Sequence, residues 1–198
     1  MTDAPTPGAA PDADARLDAF AHRHHGPLAT AAAWWLRNRT TYEAGRGDER
    51  PLTGYALLAS LYGAATSTAV AVLRSRPGRA ALPDRADLAV LAVAVFATTR
   101  TLTKDAVTTP LRSPFATFEQ AGAPGEVVES PRSGAVRHAV GELVTCPFCL
   151  AQWVGTAYLA GWAAAPRATR WVASTMAVVG ASNLLQHGYG VLTSASEG

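Results

Sequence analysis

Cys146 and Cys149 are the two cysteines of a 198-residue chain, standing three positions apart in Thr145-Cys146-Pro147-Phe148-Cys149. Two thiols at that spacing can exchange with a disulfide, share a soft metal ion, or pack as small polarizable groups. Thr145 is placed to cap a helix, and Pro147 suits its first turn. Cys146 would then sit at the positive end of the helix dipole, which favours thiolate. In a thiol–disulfide oxidoreductase Cys146 would attack and Cys149 would resolve.

The tetrad resembles the glutaredoxin motif, yet no βαβ pattern surrounds it, which excludes a thioredoxin-like domain. Quinone-coupled membrane thiol oxidoreductases also combine four helices with a CxxC, but they commonly shuttle electrons through a second cysteine pair. No second pair exists here. Tetrahedral zinc needs two ligands beyond the thiolates. His138 and His187 are available, as is a second copy of the motif across a homodimer; the set Cys146, Cys149 and His138 defines the metal-binding reading. The third reading, that the pair packs a loop against a helix entrance, is the one the residues favour.

A second polar constellation is Arg100, Lys104, Asp105 and Arg112. Arg100 and Lys104 lie one helical turn apart. Asp105 is placed to pair with Lys104, Arg112 or Arg137. At a membrane boundary such a cluster anchors a helix or clamps a loop; its binding version holds a lipid headgroup or another anion. Glu142, four residues before Cys146, is expected to pair with Arg137 or His138.

The elements that position these groups are read from hydropathy. Residues 1–26 form a Pro- and Asp-bearing tail expected to be disordered, with His22, His24 and His25 as a surface cluster. No basic region followed by an apolar core marks a cleavable signal at Met1–Ala15. Residues 27–52 read as an interfacial or amphipathic helix, Leu28–Asn38 with Trp34 and Trp35, followed by a polar connector. Residues 53–198 read as a transmembrane helical domain. Its spans are Thr53–Leu73, Asp84–Thr103 with Arg100 snorkelling outward, Cys149–Ala165 and Trp171–Val191. Small residues recur at every fourth position in Ala56, Ser60, Ala64 and Thr68, and again in Ala173, Ala177 and Ala181, where helices can approach closely. Lys104–Thr145 is a long loop in which Pro110, Pro114, Pro124 and Pro131 should leave regular structure sparse. The expected fold is all-α, an integral membrane bundle of three to four transmembrane helices.

The formal net charge of +2 is too small to argue for a nucleic-acid partner. Arg and Lys near the helix ends slightly favour a multi-pass topology with both termini and the Cys loop in the cytoplasm. The expected partners are the lipid bilayer and a homo-oligomer or another membrane protein. No cofactor is called for beyond zinc under the metal reading. Gly-rich phosphate loops, HExxH and GxSxG are absent from the sequence.

Three stretches resemble the bacterial DUF1360 family over residues 87–192. They are Ala97-Thr98-Thr99-Arg100-Thr101-Leu102-Thr103-Lys104-Asp105-Ala106-Val107 continuing to Phe115, the segment Gly141-Glu142-Leu143-Val144-Thr145-Cys146-Pro147-Phe148-Cys149-Leu150-Ala151-Gln152-Trp153, and the Arg170–Leu192 helix with Gln186. Ala151 stands where relatives often carry Gly. The resemblance implies an uncharacterised bacterial membrane protein, and some relatives carry sporulation-related labels. The functional expectation is a structural or interaction (scaffold) protein; the alternatives are the oxidoreductase and the metal-binding module.

Overall fold

The computed structural model describes residues 15–16, 19, 26–43, 50–75 and 82–196. Most of the tail, including His22, His24 and His25, lies outside the described residues, as do three of the arginines near the helix ends, Arg46, Arg76 and Arg79.

Helix α1, Pro27–Tyr42, opens with Pro27 in its first turn after an extended Gly26 and runs one turn beyond the expected Leu28–Asn38. It buries only Ala33. At its end the Glu43 carboxylate accepts from Arg39 Nε at 2.9 Å and from the Leu52 N–H at 2.8 Å. One side chain thus ties α1 to the start of the next helix. Burial works against the Glu43 charge, but the Arg39 and Leu52 hydrogen bonds outweigh it and hold the carboxyl below its ordinary pKa.

Helix α2, Leu52–Ser75, is apolar throughout its middle, and Gly54 is its one buried residue. A Cβ at Gly54 would lie 2.2 Å from the Ala135 carbonyl oxygen, so only glycine lets α2 lie against that backbone. The expected small-residue row carries no such contact: Ser60, Ala64 and Thr68 are exposed.

Helix α3, Arg85–Lys104, is the centre of the molecule. The Asp84 side chain caps it by accepting from the Asp87 N–H at 2.8 Å. Leu91 and Ala94 pack with Trp162 and Ala173 into the core, flanked by Val90, Tyr158 and Met176. Two long helices supply those partners, α6 (Pro147–Ala164) and α7 (Pro166–Ser196). The Asp87–Arg170 ion pair, at 2.5 Å, and the Ala97–Gly180 contact share one sequence offset, so α3 and α7 run parallel. Ala97 meets Gly180 so closely that a Cβ there would come within 2.9 Å of the Ala97 methyl. Arg170 also lies 5.3 Å over the Trp162 ring.

The long loop departs from expectation, and with it the all-α assignment. After α3 come a 3₁₀ turn, Ala106–Thr108, a short α4, Thr109–Arg112, and an antiparallel hairpin of β1, Ala116–Ala121, with β2, Val127–Pro131. The prolines read as breakers end helices but do not prevent a ribbon. Pro131 closes β2 at its edge, and Pro124-Gly125 builds the turn, with Gly125 at φ +83°. Thr117, Phe118, Val127 and Val128 favour extended backbone. Gly134, at φ +101°, starts α5, Ala135–Thr145. Gly141 presses α5 onto the hairpin base, where a Cβ would lie 2.6 Å from the Phe115 carbonyl oxygen.

Two helices, α2 and α3, are long and apolar enough to cross a membrane, and the α5–α6 pair makes a third if its 80° bend is counted within one span. The expected fourth span lies inside α7, which is longer than Trp171–Val191 and whose Asn183, Gln186 and His187 lower its apolar character. Helix starts of α2 and α6, the ends of α3 and α7, the hairpin and α5 all gather at one end of the bundle. The candidate residues lie there.

Candidate functional site

Arg112 is the largest fully buried side chain among the described residues, 1% exposed. A guanidinium has five N–H donors in a rigid fork, and here each has a partner. Nε pairs with the Glu129 carboxylate of β2, itself 3% exposed. One terminal nitrogen donates to the Leu102 carbonyl at 2.9 Å and to Thr108 Oγ1 at 2.5 Å. The other donates to the Asp105 carbonyl at 3.0 Å and to Thr109 Oγ1 at 3.3 Å. Thr108 Oγ1 in turn donates toward the Thr101 and Asp105 carbonyls, at 2.6 and 2.9 Å. The charge therefore caps the C-terminal carbonyls of α3, where a cation is stabilised by the helix dipole, and fastens the hairpin to that end. No donor is left for a ligand.

Arg100 lies one turn before the end of α3 and pairs with Glu126 at 2.5 Å, with 35% of its side chain exposed. It borders a groove of about 770 Å³ between the hairpin tip and the polar face of α7, lined also by Asp105, Asn183, Gln186, His187 and Ser194. Asp105 makes no ion pair with Lys104, Arg112 or Arg137 among the described residues; Arg112 takes its backbone carbonyl instead. His187 sets Nδ1 2.8 Å from the Asn183 carbonyl, which puts that ring proton on Nδ1 and leaves Nε2 open. Of the expected set Arg100, Lys104, Asp105 and Arg112, the groove is lined by Arg100 and Asp105 and not by Lys104 or Arg112.

The Cys corner lies where α5 turns into α6. Cys146, not Thr145, is the N-cap of α6: its Sγ accepts the Cys149 N–H at 3.3 Å. Thr145 Oγ1 instead donates back to the Gly141 carbonyl at 2.8 Å. Both thiols are free, with Cys149 exposed and Cys146 partly so. His138 faces Glu142, its Nε2 3.5 Å from the carboxylate, as one of the two expected pairings. Glu142 also receives the Arg50 guanidinium and the Tyr55 hydroxyl, the latter at 2.5 Å. Among the described residues, no group of three or more His, Cys, Asp or Glu side chains is gathered as a metal site. A cleft of about 370 Å³ beside Cys149 is walled by Tyr55, Tyr62, Leu143 and Trp153. Tyr62 and Trp153 meet edge to face at 5.1 Å, and the Tyr62 hydroxyl is 2.7 Å from Thr156 Oγ1.

Sequence reasoning missed Glu126 and Glu129 as the counterions of Arg100 and Arg112, because only the fold brings their segments together. Their spacing of three in a stretch with Val127 and Val128 was the available signal. Arg50 and Tyr55 were missed for the same reason: they reach Glu142 from another part of the chain.

Residues 90–189 match the family model described as "Protein of unknown function (DUF1360)". The chain is 29% identical over 102 residues to "Sporulation protein YjcA" of Bacillus subtilis (strain 168), covering 50% of this chain and 86% of that protein. No solved structure matches at the same stringency.

Proposed function

We propose, for a chain that belongs to the DUF1360 family, a structural or interaction role in a bacterial membrane, in a process related to sporulation. The observation that carries the reading is α2. It is a 24-residue helix whose apolar window has 0% of its residues buried inside the molecule. An uncovered apolar surface of that length is costly in water and is satisfied by lipid. Helices α3 and α6 then cross with it. The loop end, made of the hairpin, α4 and α5, forms a platform on the cytoplasmic side.

The polar groups of that platform favour a scaffold over an enzyme, because they bond to one another. Arg112 engages Glu129 and α3, Glu142 engages Arg50 and Tyr55, and Cys146 caps α6. A zinc site on Cys146, Cys149 and His138 has less support, because no three His, Cys, Asp or Glu side chains are gathered among the described residues. The sporulation assignment draws on the name of the similar protein.

Alkaline carbonate washing of membranes from cells expressing the full chain tests the membrane assignment. The protein should stay in the pellet; release into the supernatant would refute it. Thiol trapping in intact cells tests the scaffold assignment and the orientation. Cys146 and Cys149 should react with a membrane-impermeant maleimide only after the cells are opened, and without prior reduction. Labelling that requires a reductant would bring the oxidoreductase reading forward and put the Cys corner outside the cytoplasm.

A further inference from the structure

We infer, resting on the membrane reading above, that the groove between the hairpin tip and α7 seats the headgroup of a phosphatidylethanolamine, its phosphate at Arg100 and its ammonium at Asp105. Asp105 and Glu126 oppose one another in an isolated antiparallel bridge, which sets two carboxylates side by side. Arg100 answers one of them by pairing with Glu126. The half-buried Asp105 carboxylate has no hydrogen bond or ion pair among the described residues, and Lys104 beside it does not line the groove. Like charges directly opposite one another in a ribbon are destabilising. The groove is short of a cation.

Its polar groups are also ordered along the helix axis. The offset shared by Asp87–Arg170 and Ala97–Gly180 sets Arg100 level with Asn183, and Lys104, the end of α3, level with His187. The inner end, toward the bilayer, therefore holds donors. These are the guanidinium N–H groups that Glu126 does not take and the Asn183 side-chain amide. One turn farther out, about 5.4 Å along the axis, the groove holds acceptors. These are the Asp105 carboxylate and His187 Nε2, whose lone pair is open because Nδ1 carries the proton toward the Asn183 carbonyl at 2.8 Å.

That order names the occupant. With α3 crossing the bilayer, its end lies at the polar boundary, where headgroups are the concentrated solutes. A glycerophospholipid carries its phosphate next to the glycerol, and ethanolamine adds a primary ammonium beyond it. Such a headgroup meets the donors with its phosphate and the acceptors with its N–H groups, while its acyl chains run back into the bilayer. Phosphatidylglycerol brings no cation for Asp105. Phosphatidylcholine brings a cation without an N–H to donate. A metal ion is a poorer candidate for the missing charge, because no three His, Cys, Asp or Glu side chains are gathered among the described residues. The volume of about 770 Å³ is that of a small-molecule site.

The test uses the full chain, purified in detergent and freed of lipid, titrated in turn with phosphatidylethanolamine, phosphatidylglycerol and phosphatidylcholine, with binding read by native mass spectrometry. Phosphatidylethanolamine should bind about tenfold more tightly than either of the others, the size of one charge-assisted hydrogen bond. Asp105→Asn should bring it down to the level of phosphatidylcholine. Arg112 holds the Asp105 backbone carbonyl and not its side chain, so this variant keeps the fold. Arg100→Gln should weaken all three lipids alike, because the phosphate is common to them. Soluble phosphoethanolamine should compete only at far higher concentration than the lipid; competition at equal concentration would make the ligand a soluble one and overturn the lipid assignment. Equal affinity for the three lipids, tighter phosphatidylglycerol, or a preference that survives Asp105→Asn overturns the site and leaves the membrane reading standing. Protein released by the carbonate wash refutes the membrane reading itself.

Discussion

Arg112 and Arg100 sit on the same short stretch of chain, carry the same charge and lie at the same end of the bundle, yet they do opposite things. Arg112 is 1% exposed and has all five donors engaged with Glu129, two threonines and the last carbonyls of α3. Arg100 is 35% exposed, has Glu126 as its ion-pair partner and faces a groove. The difference is one of solvent. A buried guanidinium must have every donor answered, because an unanswered one carries its desolvation cost in full. A guanidinium at a groove edge can leave donors to water. The buried arginine is therefore a clamp of the fold, and the exposed one is the cation a partner at this surface can reach.

This contrast breaks most visibly at Arg112. Arg112→Ala leaves Glu129 charged and buried without its partner, a change that costs about 3–5 kcal/mol. Denaturation of the detergent-held protein should show that loss, with the hairpin becoming protease-sensitive. Arg112→Lys should recover little, because an ammonium cannot reproduce the planar fork.

The Cys corner sharpens the contrast with a smaller effect. Cys146→Ala removes the α6 N-cap and should cost about 1 kcal/mol, whereas Cys146→Ser keeps a cap acceptor and should leave stability unchanged. A redox site would respond to the two substitutions alike, by losing turnover.

Arg100→Ala should be the mildest. A half-open ion pair is worth about 0–1 kcal/mol, so the melting temperature should hardly move. A loss as large as that of Arg112→Ala would erase the distinction between clamp and groove.

Much of the helical frame was legible in the sequence. The hydropathy blocks located α2, α3 and α6 to within a few residues, because apolar length and charge placement are local properties. Pro27 and Pro147 announced the first turns of α1 and α6 for the same reason. The hairpin was not legible, since four prolines signal where helices stop and say nothing of whether the pieces pair. The contact that seats α2 within the chain was not legible either. A row of small residues at every fourth position is visible in sequence, but the contact was made by Gly54, whose partner Ala135 is far along the chain. The candidate site was half legible. Arg100, Arg112, Glu142 and the Cys pair were singled out, while Glu126, Glu129, Arg50 and Tyr55, which decide what those residues can do, come from segments that only the fold brings near.

Backbone hydrogen exchange across residues 105–131, compared between the detergent-held protein and Arg112→Ala, tests most directly whether the loop end is a closed platform. The account predicts slow exchange throughout that segment in the unaltered chain. It predicts fast exchange confined to the same segment in the variant, with α2 and α3 still protected. Fast exchange there in the unaltered chain would contradict it.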